Sequence, residues 1–126
     1  MLERLTTLLY VQVRENHFEI RRIGRNPASI TVPSARPFTT RRLLVGTFSV
    51  AERTLRDVLR SRLRLTLRPV MVIHPMAMIE EGLSEVEERL FQELGRSAGA
   101  RRVVLHTGEV LSDAQVRRLG KLCTIR

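Results

Sequence analysis

The residues best suited to chemistry are three histidines, His17, His74 and His106. His74 and His106 end apolar runs of the kind that form neighbouring parallel strands, and α/β proteins often place ligands at such ends. Neither has a third ligand, a nucleophile or an orienting acid at a motif spacing, so the pair reads as strand-end residues rather than a metal or acid–base set. Ser49, Ser84 and Ser112 each stand three residues before a Glu or Gln: Glu52, Glu87 and Gln115. That spacing is a capping box, in which the hydroxyl and the longer side chain satisfy each other's free backbone N–H groups. None of the serines lies in Gly-x-Ser-x-Gly or beside a base. The sole cysteine, Cys123, has no activating neighbour beyond Lys121 and Arg126 and is expected to be an unreactive thiol. A nuclease holding two Mg²⁺ ions needs three or four carboxylates from the first strand, the first helix and the fourth strand. The run Leu8 to Val13 has none, and Glu52 and Asp57 have no partners across the sheet. No catalytic, cofactor-binding or metal site is expected.

These residues take their meaning from the elements that carry them. Leu8 to Val13 and Phe18 to Ile23 are β-rich runs separated by Arg14, Glu15, Asn16 and His17, which predicts a hairpin. Ser29 to Val32 makes a third short strand that Pro33 ends, since proline cannot donate to a ladder. A polar link from Ser34 to Arg42 follows. Val50 or Ala51, then Leu55, Val58, Leu59 and Leu63, fall on one face of a helix expected over about Val50 to Leu65. Val70 to Ile73 is an unbroken apolar run between Pro69 and Pro75, typical of a strand buried on both sides. Val86, Leu90, Phe91 and Leu94 predict a second helix stopping at Gly99, Arg102 to Leu105 a fifth strand, and Val116, Leu119 and Leu122 a last helix. The expected fold is α/β: three layers of the ribonuclease H-like type, a mixed five-stranded sheet of order 3-2-1-4-5 with strand 2 antiparallel, and three helices, all in a single domain over residues 1–126.

Composition narrows the class of function. Apolar residues make up 43% and charged residues 28% of the chain, as in a soluble globular domain, and no apolar run reaches the ~20 residues of a membrane span. Leu2, Leu5, Leu8 and Leu9 have helical spacing, but so short a stretch carrying Glu3 gives weak membrane contact at most. A cytoplasmic location is expected. The net charge of +9, with Lys121 the one lysine among 22 basic residues, favours acidic partners. Arg53, Arg56, Arg60 and Arg64 form a basic stripe on the first helix that suits either solvent or phosphate contacts. With 4% aromatic residues and no tryptophan, stacking on single-stranded bases has little to use.

Two stretches carry a family resemblance. Val45-Gly46-Thr47-Phe48-Ser49-Val50-Ala51-Glu52 resembles the approach to the first long helix of bacterial rod-shape actins of the MreB type. Pro69-Val70-Met71-Val72-Ile73-His74-Pro75, then Val86-Glu87-Glu88-Arg89, Glu93 and Ala98-Gly99-Ala100-Arg101-Arg102-Val103-Val104-Leu105, resembles that family's strand, proline, helix and following strand. The resemblance implies a truncated first subdomain of the actin-like ATPase type. In that family the first hairpin turn is a phosphate loop with Asp and Gly; here it is Arg14-Glu15-Asn16-His17, with neither. Glu109 aligns with the family's water-positioning acid only with a shift of about one residue, and the resemblance implies that the second lobe of the cleft is missing. The resemblance therefore implies no ATPase activity. It implies a non-catalytic, degenerate actin-like domain that binds protein, either a full-length actin-like cytoskeletal protein of the cell-shape or division machinery or a second copy of itself. His74, Met76, Met78, His106 and Glu109, on the loops that lose their usual cover, are the expected contacts. The second expectation is a basic nucleic-acid-binding domain using Arg53, Arg56 and Arg60.

Overall fold

A computed structural model describes residues 7–65 and 67–124, the side chains of 122–124 excepted. Its elements are β1 (Leu8–Arg14), β2 (His17–Ile23), β3 (Ala28–Pro33), α1 (Phe48–Ser61), β4 (Val70–Pro75), α2 (Glu85–Ala98), β5 (Arg102–Leu105) and α3 (Asp113–Thr124). The sheet order is β3-β2-β1-β4-β5. β2 runs antiparallel to β1 and β3, while β1 with β4 and β4 with β5 are parallel. This agrees with the strand order and directions expected from the sequence.

Alternation along the strands sorts the core into two layers. Leu9, Val11, Val13, Phe18, Ile20, Met71 and Ile73 face α1 and α2, where Leu55 and Leu94 are fully buried. Complete burial of such a side chain stabilises the fold by roughly 1.5–3 kcal/mol. Tyr10, Ile23 and Val72 face the other way and pack against Leu111 and Val116 beneath α3. The helix layer over β4 and β5 is close: an ideal Cβ at Gly95 would lie 2.5 Å from Val103 Cγ2 and 2.9 Å from Ile73 Cδ1. Only glycine lets α2 sit at this depth.

Several local expectations need correction. Ser84–Glu87 and Ser112–Gln115 form reciprocal capping bonds, but Ser49–Glu52 does not cap α1. α1 starts at Phe48 after Thr47, which puts Ser49 inside the first turn. The helix ends at Ser61 rather than Leu65, with Leu63 still buried in the following turn. Val86 is 75% exposed, not inward. At 100° per residue it lies about 140° around the helix from Phe91. The link after β3 is not simply polar, because Phe38 is fully buried and stacks on Phe18 at 5.2 Å. Leu8 and Leu9 belong to β1 rather than to a helical stripe, and Leu2, Leu5 and the side chains of Leu122 and Cys123 lie outside the described residues. Among the described residues no helix is long and apolar enough to cross a membrane.

The hairpin turn is filled by the chain itself. Asn16 adopts a left-handed conformation (φ 61°), which asparagine tolerates better than most residues. Its Oδ1 accepts the N–H groups of Phe38 (2.9 Å) and Thr39 (2.8 Å), its own N–H donates to Thr39 Oγ1 (2.9 Å), and its carbonyl accepts the N–H of Ser34 (3.1 Å).

Candidate interaction surface

The carboxyl ends of β1 and β4 meet in a buried polar network. His74, 1% exposed, places Nδ1 2.7 Å from Tyr10 Oη and Nε2 3.0 Å from the Gly108 carbonyl. A carbonyl only accepts, so Nε2 carries the proton, and neutral Nδ1 accepts from the tyrosine hydroxyl. Tyr10 Oη in turn accepts the Leu111 N–H at 3.1 Å, and the Gln12 amide stands 3.4 Å away. Every polar atom of the imidazole is matched, as a buried site requires. Burial first, then the neighbouring His106 and Arg14, holds the His74 pKa below its ordinary value against the opposing pull of the Gly108 carbonyl. The guanidinium of Arg21 covers the Tyr10 ring at 4.9 Å and bonds Asp113 Oδ1 (2.8 Å) and the Leu111 carbonyl (2.9 Å), fixing the start of α3. The network joins strands to the α3 approach.

This placement revises the strand-end contact set. His74 is a core residue, because its ring is enclosed and both nitrogens are engaged. His106 is half-buried, edge-on to His74 with ring centres 4.6 Å apart, and its Nε2 lies 3.1 Å from the Glu109 carbonyl. Met78 packs against the α1–α2 core, and Met76 is half-buried with its N–H on the Val13 carbonyl. Glu109 is exposed beside Val110, itself 55% exposed. Among the described residues no group of three or more His, Cys, Asp or Glu is placed to hold a metal ion.

The basic stripe on α1 is also split. Arg53 and Arg60 are exposed, but Arg56 bonds Glu52 (3.0 Å) and the Ser97 carbonyl (3.2 Å), pinning α1 to α2. A denser set of exposed arginines stands where α1 and α2 finish: Arg60, Arg62, Arg64, Arg96 and Arg101. Sequence spacing found Arg60 and Arg64 but not Arg62, Arg96 and Arg101, because the set is drawn from three separate segments.

The remaining feature is the edge at β5. Among the described residues it pairs with β4 on one side only. In a parallel ladder alternate residues turn both backbone groups to the same neighbour. The His106 N–H donates to the Ile73 carbonyl (2.9 Å), so the even-numbered residues face β4 while Val103 and Leu105 turn their N–H and C=O outward. The Gln92 amide reaches the Val103 carbonyl at 3.3 Å, in keeping with that phase. Between this edge and α2 runs an open groove lined by Leu83, Glu85, Glu88, Arg89 and Gln92 on one side and Val103 to Leu105 and Thr107 on the other.

No protein-family model matches the chain. It is 33% identical over 127 residues to the Escherichia coli (strain K12) "Uncharacterized protein YjaA", in an alignment covering 91% of the chain and 98% of that relative. The chain belongs to the YjaA family. The YjaA match takes in nearly the whole of both chains, so most of the sheet and its covering helices fall within what the family shares.

Proposed function

We propose that the chain is a non-catalytic protein-interaction domain that takes an extended polypeptide strand on the open edge of β5. The observation that carries the reading is the groove beside β5, where outward backbone groups of Val103 and Leu105 stand next to apolar side chains and the charges of Glu85, Glu88 and Arg89. Strand addition uses such an edge: main-chain bonds supply affinity and the flanking side chains supply choice of partner. The histidines have no such freedom, since His74 is enclosed and His106 is turned to the Glu109 carbonyl.

The ribonuclease H-like classification and an origin in an actin-type subdomain belong to the same proposal. Their support is the order β3-β2-β1-β4-β5 together with the MreB-like segments around Val45 to Glu52 and Pro69 to Leu105. On that reading the partner is a cytoskeletal or division protein of the bacterial cytoplasm. The turn at Asn16, occupied by Phe38 and Thr39, is what replaces a phosphate loop.

The test is a pull-down of the tagged protein from its own lysate with nuclease at about 0.3 M salt, where the Debye length is roughly 5–6 Å. Wild type is compared with Leu105→Pro, which removes an outward N–H without touching the β4 ladder. A partner recovered by wild type and lost from a folded Leu105→Pro variant supports strand addition; equal recovery by both rules it out. A second reading, binding to the nucleic-acid backbone, is favoured by the exposed arginines at the far end of the helix layer.

A further inference from the structure

We infer that the strand received by β5 is the β5 of a second copy, giving a two-fold dimer with a continuous ten-stranded sheet. This rests on the reading of β5 as a binding edge and names its occupant.

The argument is one of self-complementarity. A two-fold interface puts the same patch on both partners, so each feature must find its complement elsewhere on that patch. Place the axis at Val104. Val103 of each copy then stands opposite Leu105 of the other, and these are the residues whose backbone groups turn outward. Each such pair exchanges two N–H···O bonds, the closely spaced pattern of an antiparallel ladder. The Gln92 amide must leave the Val103 carbonyl to admit the partner, so in the single copy it serves as a cover for the edge.

Charge fits the same axis. α2 runs antiparallel to β5, so its exposed Glu85 and Glu88 flank the carboxyl end of the strand, whereas the exposed Arg101 stands at the amino end. Two-fold antiparallel pairing carries the arginine end of each copy to the glutamate end of the other, twice over. Parallel addition would set like charges side by side. Four strand residues are too few for a stable interface, which buries about 1,200–2,000 Å² in total. The exposed groove side of α2, with Glu85, Glu88 and Arg89, must therefore meet its counterpart across the axis.

The test is molar mass by light scattering on the full chain from about 5 to 200 μM in 0.15 M salt, where repulsion between two net-positive copies is screened beyond roughly 8 Å. Wild type is expected to rise towards twice its 14.5 kDa monomer mass. Leu105→Pro and Arg101→Glu should each weaken the dimer about tenfold or more, and the double variant Arg101→Glu with Glu88→Arg should recover most of that loss. Circular dichroism confirms that each variant is folded. A wild type that stays monomeric throughout overturns the inference, as does a dimer indifferent to these changes. A wild-type monomer whose capture of another protein is still lost with Leu105→Pro would leave the edge reading standing and remove only the second copy.

Discussion

At the residue scale, His74 couples the fold to acidity. Its imidazole is neutral and enclosed, with Nδ1 accepting from Tyr10 and Nε2 donating to Gly108. In the unfolded chain it returns to an ordinary pKa of about 6.5. The unfolded state therefore binds more protons once the pH falls below that value, and stability drops with it. The stabilisation is complete above about pH 6.5 and is lost progressively until the pH passes the lowered value of the folded state. Denaturant midpoints at pH 7.5, 6.5 and 5.5 should fall in that order, and His74→Gln should flatten the decline while lowering the midpoint at pH 7.5. An equal slope in the variant would assign the pH dependence to other groups. The sequence marked His74 as a strand-end residue but gave no sign of its partners. Tyr10 is 64 positions away and Leu111, on the same hydroxyl, is 101 from Tyr10, separations that no local pattern encodes.

At the element scale, what was legible followed local periodicity. The all-apolar run at Val70 to Ile73 became the central strand β4, and the reciprocal Ser84–Glu87 and Ser112–Gln115 pairs mark helix starts. Ser49–Glu52 has the same spelling yet sits two residues too late, because α1 begins at Phe48 after Thr47. Phe38 and Gly95 were illegible for another reason: each answers to a neighbour brought by the sheet. Gly95 gives the sharper prediction. In an isolated helix Gly→Ala is favourable by about 1 kcal/mol. Here the new methyl meets Val103 and Ile73, so Gly95→Ala should destabilise the protein by roughly 1–3 kcal/mol, the usual cost of overpacking. Urea denaturation measures it, and a stabilised variant would mean that α2 can lift from the sheet without penalty. The β5 edge was legible only as strand order; the groove beside it appears once α2 is docked at that depth.

At the scale of the whole molecule, charge is unevenly spread. Six of the thirteen acidic side chains lie between Glu80 and Glu93, where Arg89 is the sole base, so the rest of the chain is more basic than the net +9 suggests. The acids gather at the start of α2 and arginines at the ends of α1 and α2, each favourable to the helix dipole. Such a molecule should bind duplex DNA weakly and with a steep salt dependence. Fluorescence anisotropy is expected to show affinity lost by about 0.3 M salt, and Arg62→Ser with Arg64→Ser should reduce the slope of log K against log salt by about 2. Affinity that persisted at that salt would move the nucleic-acid reading ahead of strand addition.

The clasp at Asn16 bears on the order in which the chain acquires its shape. It ties the hairpin turn to Phe38 and Thr39 only 22 and 23 positions later, and β1, β2 and β3 pair as successive neighbours. Pairing of β1 with β4 instead joins Leu8 to Val70 across the whole of α1. Short-range contacts cost less loop entropy and form sooner. During synthesis the three-stranded unit can be complete while β4 is still inside the ribosome, leaving one side of β1, the most apolar strand of the hairpin, waiting without a neighbour. That interval is when the nascent chain is most prone to pair with another strand, and most in need of a chaperone.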